Sequence, residues 1–203
     1  MFRRWFADAD DVAAERAAAE SLRRLPSTPH VIAAISGAGG VGVTSVCAGI
    51  AATLGTLWPG QVAYAGLAAA PRLPGVHTEK APVWTDTVDT DLVARLRSDF
   101  AVVVLDIGAH ADPTARALMG SAHRLLVVTD RLGRGAQLAA ARADEVSTDG
   151  QVRARVVVGA DGAGQAEFAI PVDRGFDPLE ESLLDRTRGA TNRALLMLAA
   201  WCM

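Results

Sequence analysis

Ser36-Gly37-Ala38-Gly39-Gly40-Val41-Gly42-Val43-Thr44-Ser45 is the stretch on which the reading of this chain turns. The run before it, His30-Val31-Ile32-Ala33-Ala34-Ile35, is short and apolar, as a buried strand is. The run after it, Thr44 to Leu57, is rich in small residues and reads as a helix. A glycine-rich turn between a strand and a helix is the setting of the pattern G-x-x-x-x-G-K-[ST], whose backbone amides cradle phosphate. Gly37 and Gly42 have the spacing of that pattern, and Thr44 stands where a hydroxyl would ligand magnesium. Val43 stands where the pattern has its lysine. Two readings of the loop stay open. One is a tight turn that binds nothing and needs glycine for backbone reasons. The other is a weak nucleotide site, with Thr44 and Ser45 either facing a ligand or capping the helix.

Working outward, apolar runs alternate with helical ones. Val62 to Ala65 is a second strand, and Phe100 to Leu105 is a wholly apolar one ending at Asp106. Arg124 to Thr129 and Arg153 to Val158 follow, and Phe168 to Pro171 reads as a short edge strand. Helices are expected over Asp91–Arg97, from Pro113, over Gly135–Val146 and over Leu183–Trp201. Residues 67–90 contain prolines, show no clear periodicity and read as loop. This alternation predicts an α/β fold: a doubly wound, mostly parallel sheet with helices on both faces. Residues 1–25 add an N-terminal helix that ends at Pro26, so residues 1–29 form a helical extension and linker and residues 30–203 the α/β domain.

Composition narrows the function. The net charge is −3 and no long basic run occurs, which weighs against non-specific DNA binding. Cys47 and Cys202 lie far apart, too few for a disulfide scaffold, and read as free thiols in a reducing cytoplasm. No apolar run approaches the length of a spanning helix, and the N-terminus lacks the apolar core of a signal peptide. The protein is therefore expected in the cytoplasm. Phe2, Trp5 and Phe6 flank Arg3 and Arg4, so the N-terminus either touches a membrane surface or partner groove or packs onto the domain. The apolar run Ala194 to Met203 has only Arg193 beside it and reads as core or a subunit interface. His30, His77, His110 and His123 have no ligand spacing.

The glycine-rich segment resembles the deviant Walker A motif of the MinD/ParA ATPases, K-G-G-x-G-K-T-[ST]. Gly39-Gly40-Val41-Gly42 and Thr44-Ser45 match it, and both lysines are replaced, by Ala38 and Val43. Phe100 to Gly108 resembles the family's Walker B strand, with Asp106 at the acidic position, and His123 to Asp130 its later core strand. The MFRRW start and the PHVIAAIS run resemble MinD-like proteins of actinobacterial type VII (ESX) secretion systems. The resemblance implies a P-loop NTPase fold over roughly residues 30–200. It implies weak ATP or ADP binding at residues 37–45, and magnesium, where nucleotide binds, held by Thr44 and Asp106.

Three departures from the family stand out besides the lysines. The second strand ends without its usual acid. The position of the adenine-reading Asn holds Gly159-Ala160-Asp161, leaving Asp161 as the candidate. The stretch between Ala65 and Phe100 is short, which predicts the loss of a helix–strand unit. The reading that follows is a degenerate member, a pseudo-ATPase acting as a scaffold or regulatory subunit. Its expected partners are a secretion component, an intact ATPase relative or a second copy of itself. The alternatives are a divergent active ATPase, in which Arg131, Arg134 or a partner's residue replaces the lysines, and a ParA-like DNA-associated protein.

Overall fold

The computed structural model describes residues 9–67, 71–80, 90–146, 148–159, 167–171 and 189–203. In chain order these form α1 (Ala9–Ser21), β1 (His30–Ile35), α2 (Val43–Leu57), β2 (Val62–Gly66) and β3 (Val76–Lys80). There follow α3 (Thr90–Asp99), β4 (Val102–Gly108), α4 (Pro113–Gly120), β5 (Arg124–Asp130) and α5 (Ala136–Glu145). The chain ends with β6 (Val152–Val158), β7 (Phe168–Ile170) and α6 (Gly189–Cys202). Residues 1–8, with Phe2, Trp5 and Phe6, lie outside the described residues, as does the expected start of α6 at residues 183–188.

The strands form one sheet in the order β3-β2-β4-β1-β5-β6-β7, and every pairing is parallel. Parallel strands buried on both faces must be apolar on both, and β1 and β4 are so. Alternate residues of β4 go to opposite sides: Val102 and Val104 join a cluster with α2 and α6, Val103 and Leu105 one with α3, α4 and α5. The winding is therefore double, as expected. From β1 the chain passes out to β2 and β3, returns to β4, then crosses β1 to β5. This reversal leaves a crevice beyond the C-terminal ends of β1 and β4, where ligands bind in open α/β sheets.

β3 corrects the sequence reading. Residues 76–80 are not loop but an edge strand paired to β2, so the strand of the unit expected to be missing is present. Its sequence, Val-His-Thr-Glu-Lys, lacks an apolar run because an edge strand is only half covered. His77 stacks on Phe100, and Arg95 donates to both oxygens of Glu79 at 3.1 and 2.7 Å. Cys47 and Cys202 are free and buried. α6 buries Leu195, Leu198 and Ala199 in the core, and α1 lies against it through an Arg193–Glu15 ion pair at 2.9 Å. Among the described residues no helix is long and apolar enough to cross a membrane.

Two contacts fix the upper end of the sheet. Gly37 and Gly135 meet backbone to backbone; a Cβ on Gly37 would lie 2.0 Å from the Gly135 carbonyl oxygen. Arg142 of α5 donates to the carbonyls of Ser36 at 3.1 Å and Ala109 at 2.9 Å, tying the end of β1 to the loop after β4. At the lower end, His30 and His123 stack with centroids 4.8 Å apart, and the Val31 amide donates to His123 Nδ1 at 2.9 Å.

Two outcomes are expected. Replacing Gly37 by Ala forces apart two backbones that cannot yield cheaply, and urea unfolding will register a loss of about 1–3 kcal/mol. His30 is held neutral: burial, then the neighbouring His123 and Arg124, lower its pKa from 6.5 to about 4. Below 6.5 the unfolded chain binds a proton that the folded chain refuses, so stability falls as pH drops from 6.5 toward 4. Urea unfolding across that window will show a shallower loss in His30→Gln than in the parent.

Candidate functional site

The chain leaves β1 at Ile35 and turns into α2 through a loop whose last residue, Gly42, has φ +99° and serves as the N-cap. Only glycine takes that conformation readily. No side chain caps α2, so Thr44 and Ser45 are not capping residues. The leading amides of an uncapped helix favour an anion. Above the loop lies a cavity of about 480 Å³, lined by Ser36, residues 38–45 and residues 106–110. It therefore gathers Ala38, Gly39, Gly40, Val41, Gly42, Val43, Thr44 and Ser45 with Asp106. Gly37 alone of the expected loop residues lies off it, against Gly135.

The two lysine positions are filled from the core side. Val43 is 7% exposed and belongs to the apolar cluster under α2, and Ala38 packs against the same cluster. Among the described residues, those lining the cavity include one carboxylate, Asp106, and one imidazole, His110, with no Lys or Arg. Arg131 and Arg134 are exposed and do not line it. Arg134 is bound instead to the Asp130 carboxylate, which also accepts the amides of Leu132 and Arg134. Asp161 lies outside the described residues. Among the described residues no three His, Cys, Asp or Glu side chains group to hold a metal.

Asp106 lies in β4, 3% exposed, rather than capping a helix. Its Oδ2 accepts two hydroxyls, from Thr44 at 2.7 Å and from Tyr64 at 2.8 Å. Burial raises its pKa above the ordinary carboxylate value, and the hydrogen bonds from Thr44 and Tyr64 and the nearby His110 oppose that rise. Cys47, in the next turn of α2, contacts the Leu105 carbonyl, and burial pushes its thiol pKa up, which makes it unreactive.

Tyr64 and Arg142 are the residues that sequence reasoning missed. Tyr64 had a signal: it is the only tyrosine in the chain, on a strand otherwise of small residues. Arg142 had none, since its partners lie 106 and 33 residues away.

No family model matches the sequence, and no curated protein matches it. Solved structures do. The chain matches the cell division ATPase MinD of Pyrococcus furiosus with a TM-score of 0.66 at 18% identity, over 84% of this chain and 96% of that one. It matches a ParA family ATPase from Chlorobium tepidum with a TM-score of 0.63 at 15% identity, over 84% and 98%. A cobyrinic acid a,c-diamide synthase from Mycobacterium smegmatis, with bound ADP and magnesium, gives 0.59 at 18% identity, over 84% and 92%. At such identities the likeness is one of architecture: this chain has the parallel α/β fold of the MinD/ParA-type P-loop ATPases.

Proposed function

We propose that this chain is a pseudo-ATPase of the MinD/ParA fold, which acts by presenting its surface to a protein partner instead of turning nucleotide over. The observation that supports it is the cavity lining, which among the described residues holds a carboxylate, an imidazole and no Lys or Arg. A helix terminus stabilises an anion by only about 0.3–2 kcal/mol. Each charged donor lost removes about 1.5–3 kcal/mol of interaction. A missing donor to charge that develops in the transition state slows a reaction by about 10²–10³. Two lysine positions are apolar here, Ala38 and Val43. The residues present do not fit a magnesium–triphosphate poised for hydrolysis.

The partner belongs to the same proposal. It is a component of a type VII secretion system or an intact ATPase relative, and the support is the likeness of the MFRRW start and the PHVIAAIS run to MinD-like proteins of those systems. Deleting the chain in its own cell will then lower export of type VII substrates while leaving chromosome segregation unchanged. Normal export would remove the secretion assignment.

One observation favours a second reading. Thr44 and Asp106 remain hydrogen-bonded at 2.7 Å, the pairing that a magnesium site of this pattern would use. Calorimetry with ATP and ADP, with and without magnesium, separates the two. The pseudo-ATPase predicts no saturable heat at millimolar nucleotide and phosphate release equal to that of a Thr44→Ala/Asp106→Ala double variant. Micromolar, magnesium-dependent binding would favour a nucleotide sensor, and turnover above the double variant would overturn the proposal.

A further inference from the structure

We propose that the outer edge of β3 pairs antiparallel with the same edge of a second copy of this chain, so that two sheets run on into one. The inference does not depend on whether the cavity binds nucleotide. β3 stands at the end of the strand order, with β2 on one side and, among the described residues, no strand on the other. Such an edge presents unpaired amides and carbonyls, a template for another strand. The sequence Val76-His77-Thr78-Glu79-Lys80 selects which strand that is. A two-fold axis through the sheet beside Thr78 sets Thr78 opposite its own copy. It also sets His77 opposite the partner's Glu79, and Glu79 opposite the partner's His77.

Both residues are held in place before a partner arrives. They are two apart in a strand and share a face, with His77 Nε2 3.6 Å from Glu79 Oε2. His77 stacks on Phe100 with ring centroids 5.0 Å apart, and Arg95 of α3 holds the Glu79 carboxylate. Their side chains are still 46% and 29% exposed, so a partner can reach them. Residues directly opposite on an antiparallel pair have Cβ atoms about 4.5–5.5 Å apart, close enough for opposite polarity to attract and like charge to repel. Edges that avoid association commonly carry lysine, which repels its own copy. Here the one lysine of the strand, Lys80, falls opposite the partner's Val76 and does not meet itself. A strand from another protein would need this same order of groups to match; the chain's own copy matches by symmetry, at both positions at once.

The test is sedimentation equilibrium on the full chain without nucleotide, on the parent, His77→Glu and Glu79→Lys, each checked for folding by circular dichroism. The parent is expected to move from monomer toward dimer mass as its concentration rises through the micromolar range. In a homodimer, His77→Glu sets carboxylate against carboxylate and Glu79→Lys sets imidazole against ammonium. Each variant alone is therefore expected to associate at least about tenfold more weakly than the parent. The two variants complement each other at both positions, so an equimolar mixture is expected to regain the parent's affinity as a heterodimer. Damage to the fold would not be repaired by mixing. A parent that stays monomeric at millimolar concentration, variants that associate as tightly as the parent, or a mixture no tighter than its components would each overturn the proposal. Hydrogen exchange on the parent needs no variant. Backbone amides within residues 76–80 are expected to gain protection as protein concentration rises, and exchange there that ignores concentration would also overturn it.

Discussion

A carboxylate buried at the end of a central strand must find its donors inside the protein, and Asp106 organises the upper edge of this sheet for that reason. Leaving such a group unpaired costs several kcal/mol. Here α2 supplies Thr44 and β2 supplies Tyr64, while the Asp106 carbonyl accepts the Leu67 amide at 3.0 Å. Three elements are thereby pinned around one residue. On the opposite face Arg142 does the equivalent for two backbone carbonyls. The loop after β1 and the loop after β4 are held from both sides by the chain's own groups.

That arrangement bears on how the fold can work. In switch-type nucleotide-binding proteins, loops beside the site are ordered by the γ-phosphate and its metal and released on hydrolysis. In this chain the corresponding tethers are internal. Ser36 donates its amide to the Gly108 carbonyl at 2.8 Å, and Arg142 bridges Ser36 to Ala109. These bonds join the two loops through the chain's own groups, with no ligand between them.

What the sequence made legible was local. The apolar runs of β1 and β4, the strand–turn–helix context of the loop and the acid at residue 106 are each read within a few neighbours. β3 escaped because its edge position allows polar residues, so period and hydropathy both fall silent. Tyr64 escaped for a different reason. Its partner lies 42 residues on, and the contact depends on β4 slotting between β1 and β2. Arg131 and Arg134 follow β5, and the Asp130 carboxylate four residues before Arg134 binds it there, away from the cavity. Side-chain partners set by strand order are beyond a one-dimensional reading, and here they are the ones that define the site.

The same distinction explains why the glycines of the loop say less about nucleotide than the lysines do. Gly37 is required by Gly135, whatever occupies the cavity. Gly42 has φ +99° and its Cβ position faces Val158 at 3.1 Å, again a demand of the backbone and core. Glycine at these two positions follows from the fold alone. The lysines have no such duty, and Ala38 and Val43 take their places by packing into the core cluster without disturbing the turn. The proposed pseudo-ATPase reading therefore rests on Ala38 and Val43, and Gly37 and Gly42 weigh neither for nor against it.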